Sequence, residues 1–166
     1  MMLLKWQIRL AAALLCAGLA QGGSNTVLVV HGDESAPPGD RLFAQSLARH
    51  AVRWYRDAGL DVTLCSDTRL AEYLPRSRVA VLVECANPPA SQLAAWRKYV
   101  QGGGRLIVCY STSPQLAEIM GVELGGYAKG DTGGRWSCMH FEAQRPQGVP
   151  ERILQTSPNL FLVKPY

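Results

Sequence analysis

Residues 96–121 place the tightest limits on how this chain folds. Trp96-Arg97-Lys98-Tyr99-Val100-Gln101 leads into Gly102-Gly103-Gly104, then Arg105 and the run Leu106-Ile107-Val108-Cys109-Tyr110, then Ser111-Thr112-Ser113-Pro114 and on to Gly121. Glycine has no Cβ and adopts the left-handed conformation that ends a helix, so Gly102 is expected to stop a helix begun upstream. Leu106 to Tyr110 is a continuous apolar run, the pattern of a strand covered on both faces. Ser113 followed by Pro114 reads as an N-cap and first helical residue, and Gly121 closes that helix. A helix, strand, polar turn and helix in this order belong to a parallel α/β sheet. Its functional edge lies at Ser111 to Ser113.

The same alternation runs through the preceding residues. Thr26 to Val30 is a β-branched apolar run ended by His31-Gly32-Asp33, too short for a helix and read as the first strand. After a Pro/Gly loop, Asp40 to Ala58 carries Phe43, Leu47, Ala51, Trp54 and Ala58 at helical spacing, with Arg49, Arg53 and Arg56 off that face. Leu60 to Cys65 reads as the second strand, Asp67 to Leu74 as a short helix stopped by Pro75, and Arg78 to Cys85 as the third strand. Ser91 is expected to cap a helix that buries Leu93, Trp96 and Val100. Four such units imply right-handed crossovers and a three-layer α/β fold with a parallel sheet ordered 2-1-3-4, as in flavodoxin-like sheets.

In such a sheet the ligand crevice lies outside the carboxyl ends of the strands, where the strand order reverses. The residues arriving there are His31, Asp33, Glu84, Asn87, Ser111 and Ser113, with Glu34, Ser66 and Asp67 nearby. Glu84 could serve as an acid with a raised pKa or bond loop amides. Ser111 could be a nucleophile activated by His31, or a turn residue capping the next helix.

The N-terminus has a different character. Lys5 and Arg9 precede the apolar stretch Leu10 to Leu19, and Gly18-Leu19-Ala20 offers small residues at the positions a signal peptidase reads. Residues 1–20 therefore read as a secretory signal cut after Ala20, too short to span a bilayer. The mature chain is expected to be secreted or periplasmic, with no membrane attachment. Its formal charge falls from +4 to +2 as Lys5 and Arg9 leave. Scattered arginines at that balance argue against a nucleic-acid partner.

Four cysteines remain, Cys65, Cys85, Cys109 and Cys138, with no C-x-x-C pair and no His/Cys cluster at metal-ligand spacing. They read as small buried hydrophobes, although an exported chain could oxidise them. Residues 121–134 hold six of the sixteen glycines but lack the Gly-Lys-Ser/Thr ending of a phosphate loop, and read as an exposed connection. No metal and no cofactor is expected. Trp136 to Phe141 could form a further strand. The apolar runs at Val149 to Leu154 and Leu160 to Val163 read as elements awaiting a neighbour, so the domain at 21–166 is expected to be truncated at its C-terminus.

Three phrases together carry a resemblance. They are Val27-Leu28-Val29-Val30 with its Pro-Pro-Gly loop, Tyr99 to Val108 running on through Tyr110-Ser111-Thr112-Ser113-Pro114 into Leu116-Ala117-Glu118, and Val149-Pro150-Glu151-Arg152. With these the chain resembles the class I glutamine amidotransferase-like fold, and more narrowly the domain of that type found in secreted bacterial glycoside-hydrolase-like proteins. The resemblance covers most of the mature chain. It implies a cysteine nucleophile on a strained turn between small residues, commonly Gly-x-Cys-x-Gly, with a His-x-Glu pair later. Here Cys109 is flanked at those positions by Ile107 and Ser111, and His140-Phe141-Glu142 begins 31 positions later.

The leading expectation is a non-catalytic accessory domain for carbohydrate-active machinery, binding a ligand or partner at the crevice. The alternatives are a hydrolase using Ser111 or Cys109, the latter with His140 and Glu142, and an oligomerisation module. A downstream hydrolase-like domain or a second copy of the chain are the expected partners.

Overall fold

The structure is a computed structural model and describes residues 26–130, 134, 137–141, 149–154 and 160–166. Residues 1–20, read above as a secretory signal, lie outside the described residues, as do Trp136 and Glu142. Four strands form one parallel sheet: β1 (Thr26–His31), β2 (Asp61–Ser66), β3 (Val79–Val83) and β4 (Arg105–Cys109), in the order β2-β1-β3-β4. Four helices accompany them: α1 (Arg41–Asp57), α2 (Leu70–Tyr73), α3 (Ala90–Gln101) and α4 (Pro114–Ile119). The expected three-layer α/β architecture and strand order are those observed.

The side-chain alternation of β1 and β3 divides the core in two, because successive residues of a strand point to opposite faces. Val27, Val29, Val79, Val81 and Val83 meet α1 through Leu47, Ala48, Ala51, Val52 and Tyr55. Leu28, Val30, Ala80 and Leu82 meet Leu70, Leu74, Trp96 and Leu116 from α2, the turn after it, α3 and α4. Each such aliphatic side chain contributes about 1.5–3 kcal/mol by leaving water. The inner face of α1 is turned from the one expected: Ala44, Leu47, Ala48, Ala51, Val52 and Tyr55 are buried, whereas Phe43 is 50% exposed. Three alanines there let the helix lie close to the valine-rich sheet. The face of β4 that carries Ile107 and Cys109 is only partly covered.

Local details also differ from expectation. Gly102 is the C-cap residue of α3 but has φ −78°, and the left-handed residue is Gly103 at φ +88°. Pro89, not Ser91, precedes α3, and no side chain caps it. The short helix of the second crossover does stop at Pro75 as expected: α2 ends at Tyr73, and the chain then tightens into a 3-10 turn over Leu74–Arg76 that accepts proline in its first turn. Ser113 does cap α4, its hydroxyl accepting from the Leu116 N–H at 3.3 Å.

Beyond α4 the sheet logic changes to short antiparallel pairs. β5 (Val122–Ala128) pairs with β8 (Leu160–Pro165), and β6 (Cys138–His140) pairs with β7 (Arg152–Leu154). The expected exposed connection at 121–134 is therefore a strand in its first half. The register shifts between Leu124 and Gly126, where Gly126 has φ +95°, so the adjacent glycines serve a β-bulge. The run at 160–163 finds its neighbour in β5. Among the described residues no helix is long and apolar enough to cross a membrane.

Candidate functional site

The carboxyl ends of the four strands finish level. Ser66, His31, Val83 and Cys109 pair across the sheet in one row. The next residues along each strand, Asp67, Gly32, Glu84 and Tyr110, therefore form the rim of the expected crevice. Gly32 comes so close to the neighbouring turn that a Cβ there would collide with the Glu84 carbonyl oxygen. Only glycine permits that approach.

Asp67 anchors one side of the rim. It is 1% exposed, and its carboxylate accepts from the Glu34 N–H at 3.1 Å, the Ser35 N–H at 2.9 Å and the Ser35 hydroxyl at 2.6 Å. Burial alone would raise its pKa, but the bonds from Ser35, Glu34 and Asp33 outweigh it and hold the carboxyl below its ordinary value. Ser35 Oγ also lies 2.9 Å from the Cys85 sulfur. A hydroxyl carries one proton, and the shorter contact to the carboxylate takes it. The Cys85 thiol then donates to Ser35, making a buried chain from Cys85 through Ser35 to Asp67. Cys85 is fully buried, and burial pushes its thiol up to about 12. This chain clamps the loop after β1 to the ends of β2 and β3.

Glu84 and Tyr110 hold the other side. Both leave their strands in the left-handed region, with φ 55° and 56°, where non-glycine residues are strained. Tyr110 was expected within the strand; it begins the turn instead. The Glu84 N–H donates to the Cys109 carbonyl at 3.0 Å, so the two turns brace each other. Burial, then the negative charge of Asp40, raise the Glu84 pKa. Burial, with Cys109 and Glu84 nearby, does the same to the Tyr110 phenol. Tyr110 is 53% exposed and meets the half-exposed Phe43 edge to face at 6.5 Å between ring centroids. Leu42 beside Phe43 is exposed as well. An aromatic and apolar lip thus overlooks an acidic rim.

The remaining expected residues divide clearly. Ser111 donates its hydroxyl to the Cys85 carbonyl at 2.6 Å and accepts from the Ser113 N–H at 3.2 Å. Those are the bonds of a turn residue. β3 separates the strand ends that carry His31 and Ser111, a lateral distance of about 10 Å. His31 Nδ1 is buried without a hydrogen-bond partner. Asp33 accepts from the Ser66 hydroxyl at 3.1 Å, and Asn87 contributes its N–H to the Ser35 carbonyl at 2.9 Å. Glu34 accepts from Gln92 at 3.1 Å, which ties the rim to α3.

Burial raises the Cys109 thiol to about 11. Among the described residues no hydrogen bond joins Cys109 to His140, which lies in β6 and is exposed. The expected pairing partner Glu142 lies outside the described residues. The cysteines at 65, 85, 109 and 138 are all free, and Cys109 and Cys138 are only partly buried. No group of three or more potential metal ligands occurs among the described residues.

Sequence reasoning missed Ser35, Cys85 as a bonded partner, Phe43 as a rim residue, and Tyr110. The one local signal was Gly32, a glycine directly after an apolar strand, which marks a close backbone approach. No family model, no curated protein and no solved structure matches the chain.

Proposed function

We propose that this chain is an exported, non-catalytic, amidotransferase-like accessory domain that binds a ligand or partner at the carboxyl edge of its sheet, in association with carbohydrate-active proteins. The observation that carries the reading is Glu84. Two residues leave their strands in the strained left-handed conformation of a sharp strand-to-helix turn, Glu84 at φ 55° and Tyr110 at φ 56°, and neither is a cysteine or a serine. The thiol next to Glu84, Cys85, is turned inward and fully buried. Cys109, the other thiol at this edge, is protonated at neutral pH because burial raises it to about 11. The Ser111 proton is engaged by a backbone carbonyl. The engagement of Cys85, Cys109 and Ser111 supports a non-catalytic reading, while the Phe43–Tyr110 lip and the Glu84 carboxyl form a surface suited to binding.

The test has two arms. Incubation with the glutamine-mimicking alkylator 6-diazo-5-oxo-norleucine should leave Cys85 and Cys109 unmodified, whereas stoichiometric labelling of either would reject the non-catalytic reading. Titration with soluble cell-wall oligosaccharides, followed by amide chemical shifts, should perturb Glu84, Tyr110 and Ser111 first. A response confined to residues outside the rim would place binding elsewhere.

A further inference from the structure

The arginines of α1 look scattered in the sequence, but the helix gathers them. At about 100° per residue, Arg49, Arg53 and Arg56 fall within about 60° of one another, and Arg41 lies about 60° to one side. All four are exposed, while Ala44, Leu47, Ala48, Ala51, Val52 and Tyr55 face the core. From Arg41 to Arg56 the stripe runs about 22 Å along the helix axis. It starts in the same turn as Phe43, at the lip of the crevice, and runs away from it.

α1 carries one carboxylate, its last residue Asp57. Asp40, just before the helix, acts on Glu84 across the rim. Arg56 donates to the Val62 carbonyl at 3.3 Å, which fixes the far end of the stripe beside β2. Arg49 and Arg53 are four positions apart, and Arg53 and Arg56 three apart. Like charges at these spacings repel and destabilise a helix. Arg41 adds positive charge to a first turn that holds no acidic residue, against the helix dipole. A solvated helix face ordinarily interleaves opposite charges instead. The stripe is thus unfavourable to the free chain and becomes favourable beside a negatively charged partner.

We infer that this stripe docks a linear acidic polysaccharide, whose carboxylates or sulfates lie along α1. A guanidinium pairs with such groups through two parallel N–H bonds. Leu42, 80% exposed, lies on the same arc and offers an apolar contact to the faces of the sugar rings. A bilayer is a poor match, because the apolar face of α1 is buried against the sheet. The helix therefore cannot settle into a membrane interface as amphipathic surface helices do. The stripe stands independently of the crevice, whereas the choice of a polysaccharide among linear polyanions rests on the exported, carbohydrate-associated reading above.

The test uses polygalacturonate as the acidic probe and dextran as the neutral one, titrated into the full chain at low and at physiological salt. Polygalacturonate should bind, dextran should not, and the affinity should fall as salt rises. Arg49→Gln with Arg53→Gln should weaken binding at least about tenfold. Arg69→Gln with Arg97→Gln removes the same charge from two arginines already paired with Glu72 and Glu118, and should change the affinity less than about twofold. Urea unfolding should show the α1 double variant at least as stable as wild type, because it relieves repulsion. Absence of polygalacturonate binding, equal binding of dextran, or equal loss in the two double variants would each overturn the inference. Tighter binding of a single-stranded DNA oligonucleotide, or of phosphatidylglycerol vesicles, would overturn it too and assign the stripe to a nucleic acid or a membrane. The α1 double variant leaves Glu84, Tyr110 and Ser111 in place, so failure here and failure at the rim are read separately.

Discussion

A Cβ on Gly32 would collide with the carbonyl oxygen of Glu84. The turn after β1 and the strained turn after β3 are therefore pressed together, and the Gly32 N–H adds a hydrogen bond to the Val83 carbonyl at 3.1 Å. The obstructing atom is backbone, so it cannot swing aside as a side chain would. Gly32→Ala is expected to destabilise the protein by about 1–3 kcal/mol, the usual cost of overpacking a close contact. Urea denaturation measures it. A loss below about 0.5 kcal/mol would mean that the two turns separate freely.

The Asp67 carboxylate gives a pH-dependent prediction. Its pKa is lowered in the folded protein, so its contribution to stability is complete above the unfolded value near 3.9 and is lost as pH falls through the lower folded value. The wild-type chain should thus lose stability more steeply than Asp67→Asn, which has no proton to bind there, as pH falls below about 4. At pH 7, Asp67→Ala should cost about 2–4 kcal/mol, because the Ser35 hydroxyl and two buried N–H groups lose their acceptor. Parallel acid curves for wild type and Asp67→Asn would show that the carboxylate is not held in its charged form.

Part of this arrangement was legible in the chain. Val27 to Val30 and Val79 to Val83 announce strands buried on both faces, and Ser113-Pro114 announces the start of α4. The topology alone brings His31, Glu84 and Ser111 to one edge. The Cys85–Ser35–Asp67 chain was not legible, because its partners are 50 and 32 positions apart and nothing local marks a polar bond that only tertiary closure creates. Nor was the left-handed turn at Tyr110, since an apolar aromatic after Leu106-Ile107-Val108-Cys109 simply lengthens the strand pattern. β5 escaped for the opposite reason. Gly125 and Gly126 weaken a strand signal, and here they serve a bulge against β8.

Export makes a separate prediction. Lys5 and Arg9, the apolar stretch to Leu19 and the Gly18-Leu19-Ala20 site motivate cleavage after Ala20. Mass spectrometry of protein recovered from the periplasm or medium should give Gln21 as the first residue. Recovery with Met1 in a membrane fraction would count against it.

Thiol reactivity tests the inward-facing edge most directly. Only the thiolate is alkylated, and burial disfavours it. The thiols of Cys65 and Cys109 are raised to about 11 and that of Cys85 to about 12. At pH 7.5 each should react with iodoacetamide at least about a hundredfold more slowly than free cysteine, whose pKa is near 8.5. Cys138, partly exposed in β6, should be modified first. Peptide mapping after timed alkylation gives the order. In unfolding concentrations of guanidinium all four should react alike, because the differences arise from the fold. Ser35→Ala then separates two causes of Cys85 inertness. Loss of the hydroxyl removes the thiol's hydrogen-bond partner but not its burial. The variant should therefore be less stable, with Cys85 still slow in the native state. Rapid native alkylation of Cys85 in Ser35→Ala would mean that the hydrogen-bonded chain, rather than burial, keeps the edge unreactive.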